Sequence, residues 1–342
     1  MCKIVPCMQW LVQRKILAFA LAAAVLTDIG LAIVLWPQGF GADFAVYWRA
    51  ACALHPYAFS LTPFANPPTA LLGIQFLRLL PLWPAYIFTT ICGIAAFFFF
   101  SRKLYGSAAT WLAVFSPALV LGAIPGQLAI IEAALVFLAY ASPPITSGVV
   151  LAVAASIKPQ MVFLAPIALF VRHGWKPTLA FCLSALALAA AATFAFGAMI
   201  WSDWLFGMHS LVSVAANRHA LLLAVSPLSF LPLVNGFVAF GVLILVIVGG
   251  LLLYLTRSLP PSEQVGVLVA CSLLAAPYAL SYDLVALAPL AAAIVLRDQS
   301  WRGLAAAGTF TAALGPLSLA SAVASLWPRS DRKLDGGRGS KR

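Results

Sequence analysis

Charge is what this sequence lacks. Asp, Glu, Lys and Arg make up 8% of its 342 residues, where a soluble domain carries about a quarter. Nine acids and twenty bases cannot coat a water-soluble globule of this length. Cysteine is sparse and unpatterned. Cys2, Cys7, Cys52, Cys92, Cys182 and Cys271 include no pair at CxxC or metal-ligand spacing, which excludes a zinc module or a dithiol redox motif. Most lie inside apolar runs and are expected to be small buried hydrophobes. No cleavable leader is expected either. The first apolar run, Ile16 to Trp36, is long enough to span a bilayer and has no small-residue cleavage site before Pro37.

What is present is hydrocarbon. Hydrophobic residues reach 63%, the mean hydropathy is +1.03, and apolar runs recur from end to end. Runs of that kind are membrane spans. They are too long and too continuously apolar for the alternating strands of an outer-membrane barrel. The fold class is therefore an all-α polytopic membrane protein. The net charge of +11 does not point to nucleic acid, because the bases sit in small groups between apolar runs, as the positive-inside rule requires. The basic tail 329–342 is expected to be disordered, outside a single transmembrane domain over 1–328.

Orientation follows from the bases. Lys3, Arg14 and Lys15 place the N-terminus in the cytoplasm. A first span over about 16–36 leads to a first outer loop, 37–83, in which Asp43 to Leu54 form an interfacial helix. Residues 67–80 are apolar but short, and are expected as an outer-face or re-entrant helix. Spans then follow at 84–101, 107–123, 128–141, 145–157, 160–171 and 177–200. A second outer loop, 201–236, precedes spans at 237–255, 264–276 and 284–296. This register leaves most short-loop bases inside and gives about ten to twelve spans once 303–327 are included. No internal repeat is evident.

The polar residues left on the outer side are few: Asp43, Gln127, Lys158, Asp203, His209, Arg218, His219, Tyr282 and Asp283. Ionisable groups near hydrocarbon are costly and mark function. Asp43 follows Gly39-Phe40-Gly41-Ala42, where the backbone can approach a ligand. A carboxylate beside apolar surface gains proton affinity and can act as a general base. Lys158, Arg218 and His219 are cations suited to a phosphate. Tyr47, Asn66, Gln127, Tyr282 and Asp283 complete the expected substrate-binding set. One base with phosphate-binding cations suits sugar transfer from a lipid-linked sugar phosphate. Each residue also has a plainer role. Asp43 can cap its helix, Lys158 can snorkel, Gln127 can bond between helices, and Asp283 can pair with a base. Arg218 and His219 suit a solvated loop, His55 and His209 are bystanders, and Trp201 with Trp204 suit an aromatic belt. Glu132 lies within a span and faces the bundle interior.

Several ordered motifs resemble glycosyltransferase family 87. They are Asp43-Phe44-x-x-Tyr47-Trp48, Pro56-Tyr57, Phe64-x-Asn66-Pro67-Pro68, Pro125-Gly126-Gln127, Ile157-Lys158-Pro159 and Pro277-Tyr278-x-x-Ser281-Tyr282-Asp283-Leu284. The resemblance implies a GT-C-type bundle with an outer-face juxtamembrane helix and a polyprenyl-phosphate-linked sugar as donor. It further implies an inverting transfer to a lipid or glycan acceptor on the extracytoplasmic side of a bacterial inner membrane. In that family an aspartate in the first outer loop is the expected base, here Asp43. The mycobacterial members are mannosyltransferases with a histidine-bearing stretch where this chain has Ser281-Tyr282-Asp283. The acidic pair of metal-dependent GT-C enzymes is not evident, so neither metal nor cofactor is expected. The competing classes are a lipid or solute transporter, including a flippase for the same lipid, and a scaffold subunit of an envelope-assembly complex.

Overall fold

A backbone amide in hydrocarbon has no water to bond, so an apolar chain closes its hydrogen bonds within helices. The computed structural model describes residues 39–57, 64–217, 224–230, 237–276 and 279–297, with scattered positions between 15 and 33 and residues 303 and 306. Its elements are helical, and β pairing among the described residues is limited to one bridge between Ala224 and Leu280.

The helices, in order, are α1 (Ala42–Cys52), α2 (Pro68–Ile74), α3 (Leu82–Tyr105), α4 (Ser107–Val114), α5 (Pro117–Ala123), α6 (Ala129–Tyr140), α7 (Pro144–Ile157), α8 (Ala165–His173), α9 (Trp175–Phe196), α10 (Ile200–Asn217), α11 (Phe237–Leu255), α12 (Pro261–Ala275) and α13 (Ala288–Arg297). Short 3-10 turns cover Gln75–Leu79, Pro159–Met161, Pro227–Phe230 and Ser281–Leu287. Proline opens α2, α5, α7 and α12. The first N–H of a helix has no partner inside it, so the missing proline donor costs nothing there.

Among the described residues, three stretches are long and apolar enough to cross a membrane: α3, α9 and Val238–Leu255 of α11. At 1.5 Å per residue they reach about 36, 33 and 27 Å, against about 30 Å of hydrocarbon. Their apolar side chains point outward, among them Ile87 and Ile91, Leu183 and Leu186, and Ile247 and Leu251. Exposed apolar faces of this kind suit lipid rather than water. The shorter α6, α7 and α12 fill the middle, and from Gln264 to Leu273 every residue of α12 is buried. The chain is thus an all-α polytopic membrane protein with long helices at its rim and short ones at its centre.

Several expected spans take a different local form. The run 107–123 is not one helix. It breaks at Phe115 and Ser116, where Ser116 caps α5 by accepting from the Leu119 N–H at 3.3 Å and Pro117 restarts the helix. The run 284–296 opens as a 3-10 turn before becoming α13. Residues 67–80 form α2 and the 3-10 turn after it, together about 20 Å long. The stretch expected as a second outer loop contains the helix α10. The cysteines differ most from expectation. Cys271 is buried, but Cys52, Cys92 and Cys182 are exposed and unpaired. A thiol is apolar enough to face lipid, so an apolar run says nothing about which side of a helix its cysteine takes.

Among the described residues, buried apolar side chains form two clusters. The larger joins α3 to α9 with α12 and α13 and includes Phe97, Phe137, Met161, Leu268 and Leu284. The smaller lies under α1 and α2 and includes Phe44, Tyr47, Tyr57, Phe64, Leu71 and Leu128. Within the larger one α7 and α9 approach closely, because Gly148 leaves room for the Pro177 carbonyl where a Cβ would collide with it. Gly148→Ala is therefore expected to destabilise the fold by about 1–3 kcal/mol. Gly73→Ala, at a helical glycine with nothing within 4 Å of the added carbon, should not. Thermal unfolding of the two variants in detergent measures the difference.

Candidate active site

Asp43 is positioned by a helix end outside its own helix. At the close of α5 the Gln127 N–H donates to the Gly122 carbonyl at 2.7 Å and the Gly126 N–H to the Ala123 carbonyl at 3.2 Å. These are the two bonds of a Schellman motif, and Gly126 takes the positive φ, +82°, that the motif needs. A side chain at Gly126 would also meet the Phe44 Cβ at 2.5 Å and the Tyr86 ring at 2.9 Å. The two carbonyls left over are used by α1, whose Gly41 N–H donates to Ile124 at 2.9 Å and Phe44 N–H to Pro125 at 2.8 Å. The Tyr86 hydroxyl bonds the Ala123 and Ile124 carbonyls, both at 2.9 Å.

This junction sets Asp43, in the first turn of α1, beside Gln127, the residue after the motif glycine. The Gln127 Nε2 donates to Asp43 Oδ2 at 2.5 Å, and its Oε1 accepts from the Tyr47 hydroxyl at 2.7 Å. The second carboxylate oxygen, Oδ1, has no hydrogen-bond partner among the described residues. Asp43 does not cap α1, because Gly41 occupies that position and no side-chain cap bond is made. Burial pushes the Asp43 carboxyl above its ordinary range, and the Gln127 bond and the Lys158 charge pull it back in part.

The second constellation lies where α7 ends. Lys158 follows the last turn of α7, in extended backbone held by Pro159. Its Nζ pairs with Asp283 Oδ1 at 2.9 Å and lies 4.2 Å from the centre of the Tyr282 ring. Both partners are buried, at 7% and 0% side-chain exposure. The other Asp283 oxygen accepts from the Leu280 N–H at 3.0 Å. Lys158 joins the two constellations, because its charge acts on the Asp43 carboxyl.

Of the expected site residues, Asp43, Tyr47 and Gln127 meet directly, and so do Lys158, Tyr282 and Asp283. Asn66 is buried next to the second group and uses its Nδ2 on the Ile157 carbonyl at 2.8 Å, while Thr69 bonds the Ser156 carbonyl at 3.0 Å. The pair closes the end of α7 that presents Lys158. Asp203 is exposed on α10, and His55 is exposed beyond α1. His209 lies on α10, and its side chain is outside the description. Arg218 and His219 lie outside the described residues. Trp201 and Trp204 pack edge to face at 6.2 Å and spend their N–H groups on Thr193 and the Ala65 carbonyl, so they brace the fold as well as lining its surface. Glu132 is fully buried, with neither carboxylate oxygen hydrogen-bonded among the described residues, and it lies within the fields of Lys158 and Asp283. Tyr86 and Thr69 were not singled out in the sequence. Tyrosine and threonine occur throughout apolar helices, and no spacing rule marks those that close a neighbouring helix end.

A half-buried carboxylate with one open oxygen and a buried ion pair lie inside a helical bundle whose long helices turn apolar faces outward. The family model of glycosyltransferase family 87 matches residues 64–277, more than half of the chain. The chain belongs to glycosyltransferase family 87 and is a membrane glycosyltransferase. The match takes in Asn66, Gln127 and Lys158, while Asp43, Tyr282 and Asp283 lie beyond its ends. No curated protein and no solved structure matches the chain.

Two expected outcomes follow from this geometry. With Asp43 acting as a base it must be the carboxylate, so turnover would fall as pH drops through its pKa. Gln127→Met removes a bond that holds that pKa down, so the acid limb of kcat should move to higher pH as turnover drops; a pH–rate profile reads both. Lys158→Met leaves Asp283 buried without its cation and should cost about 3–5 kcal/mol. Pairing it with Asp283→Asn should recover much of that loss, as thermal unfolding of the single and double variants would show.

Proposed function

We propose that this glycosyltransferase moves a hexose or pentose, with mannose as one candidate, from a polyprenyl-phosphate donor to a hydroxyl of a lipid or glycan acceptor. The transfer inverts the anomeric carbon and takes place at the extracytoplasmic face of a bacterial inner membrane. Support comes from the family and from one observation above the others: the Asp43 carboxylate is fixed through one oxygen by Gln127, leaving the other open, in the field of a buried lysine.

In this scheme Asp43 Oδ1 takes the proton of the acceptor hydroxyl. The acceptor oxygen forms its bond to the anomeric carbon from the face opposite the phosphate. The bond from that carbon to the phosphate oxygen breaks, and its electron pair leaves with the polyprenyl phosphate. Lys158 stabilises the charge gathering on the departing phosphate. Phosphate is a good leaving group and needs no strong general acid. Arg218 and His219 are proposed as further phosphate ligands, and Tyr47, Asn66, Tyr282 and Asp283 as surroundings of the substrates. Gln127 serves the base rather than the substrate.

A lipid or solute transporter is the second reading, and one observation favours it. The Lys158–Asp283 ion pair is buried at helix breaks, as ion and substrate sites of transporters are.

The experiment is transfer from a radiolabelled polyprenyl-phosphate sugar into a membrane-lipid extract. Asp43→Asn should lower turnover by about 100-fold or more, the range for losing a general base, with donor binding largely retained. Transfer at the wild-type rate would remove Asp43 from the mechanism. Lipid movement between leaflets with no transfer from any donor would favour the transporter.

A further inference from the structure

Lys158 is not idle in the absence of substrate. It is the one buried cation among the described residues, and its anion is supplied by the protein. The two partners are held very differently. Asp283 sits on the 3-10 turn Ser281–Leu287, with one carboxylate oxygen fixed by the Leu280 N–H. That turn is stapled from outside. Leu280 bridges to Ala224, the Val225 N–H donates to the Ala279 carbonyl at 2.9 Å, and the Ser226 hydroxyl donates to the Ala276 carbonyl at 2.5 Å. Lys158 instead reaches its partner through four flexible methylenes, and its ammonium has three N–H donors, of which Asp283 takes one. If the pair opens, the lysine moves and the aspartate stays, still bonded to the backbone.

We propose that Asp283 is a stand-in for the substrate's phosphate, a positioning residue that holds Lys158 in place when the site is empty and competes with the phosphate for the ammonium when it is filled. This rests on the reading of Lys158 as the cation for the donor phosphate. The competition works in both directions. It weakens donor binding, and it speeds departure of the prenyl phosphate left after transfer, because Asp283 recaptures the ammonium. A cation with no internal anion would hold the product phosphate and slow turnover.

The ligand class is therefore a prenyl phosphate, and farnesyl phosphate is a soluble probe of it. Its binding is to be measured by calorimetry on the full-length protein in detergent, for wild type, Asp283→Asn, Lys158→Met and the double variant Lys158→Met/Asp283→Asn, which lacks the cation without stranding a buried carboxylate. Asp283→Asn keeps an acceptor for the Leu280 N–H and removes the competing charge, so affinity should rise about tenfold or more. In transfer assays the same variant should show a lower donor KM and a lower kcat, with stronger inhibition by farnesyl phosphate. A residue that only supports the fold would not lower KM. Asp283→Glu, which restores the charge, should return affinity toward wild type. Should Asp283→Asn fail to fold, Asp283→Ser, which also offers an oxygen to the Leu280 N–H, carries the same test.

Tighter binding in the neutral variant, with binding lost in Lys158→Met and in the double variant, is the expected result. Unchanged or weaker binding in the neutral variant, with both lysine variants still deficient, overturns the stand-in role and leaves Lys158 as the phosphate cation. Wild-type binding by Lys158→Met or by the double variant overturns both.

Discussion

The structure turns on how two helix ends complete each other at Pro125-Gly126-Gln127. A helix leaves carbonyls unpaired at its C-terminus and N–H groups unpaired at its N-terminus, and in a bilayer neither set has water to fall back on. Here the carbonyls of Ile124 and Pro125 meet the N–H groups of Gly41 and Phe44, and Tyr86 covers what remains. The fit requires a glycine, because a side chain at Gly126 would strike Phe44 and Tyr86. The position of Asp43 depends on that junction. It brings the first turn of α1 to the residue that follows the motif glycine, and so puts a carboxamide against the carboxylate.

The same reasoning accounts for the second half of the site. The central helices are short, and the C-terminal end of α7 falls inside the bundle at Ile157 and Lys158. Such an end must be closed by side chains, as Asn66 and Thr69 close α7 at the Ile157 and Ser156 carbonyls. The residue just past it, Lys158, is carried into the interior and needs an anion there. Asp283 provides it, itself anchored by a backbone N–H. Short helices and buried charge are thus two sides of one architecture. Irregular backbone is tolerated at depth where protein surrounds it, and the polar groups it exposes become available for chemistry.

Much of the fold was legible along the chain. The long helices α3, α9 and α11 follow the apolar runs closely, and α7 and α12 start close to the expected 145 and 264. Residues 107–123 were less legible, because Phe115-Ser116-Pro117 reads as a continuous apolar run until Ser116 is seen to cap a new helix. The cysteines misled for a similar reason: hydropathy places a residue in the membrane but does not choose between lipid and neighbouring helix. At the site, the ordered motifs singled out Asp43, Gln127 and Lys158, and the structure bonds Gln127 to Asp43 and pairs Lys158 with Asp283. They placed Gln127 among the substrate-binding residues, and its amide spans Asp43 and Tyr47. Asp283 carried two roles on sequence alone, and the ion pair with Lys158 shows the second of them.

The sequence by itself determined that this protein lives in a membrane, that it is helical, and which few polar residues had to be accounted for. Those properties are sums of local terms: transfer of each side chain to hydrocarbon, and closure of each backbone bond within four residues. Only the tertiary structure decided which polar residue answers which. Gln127 meets Asp43 across 84 positions, and Lys158 meets Asp283 across 125. Separations of that size carry no periodic signal. They are fixed when helices pack and bring the unpaired groups at their ends within reach of one another.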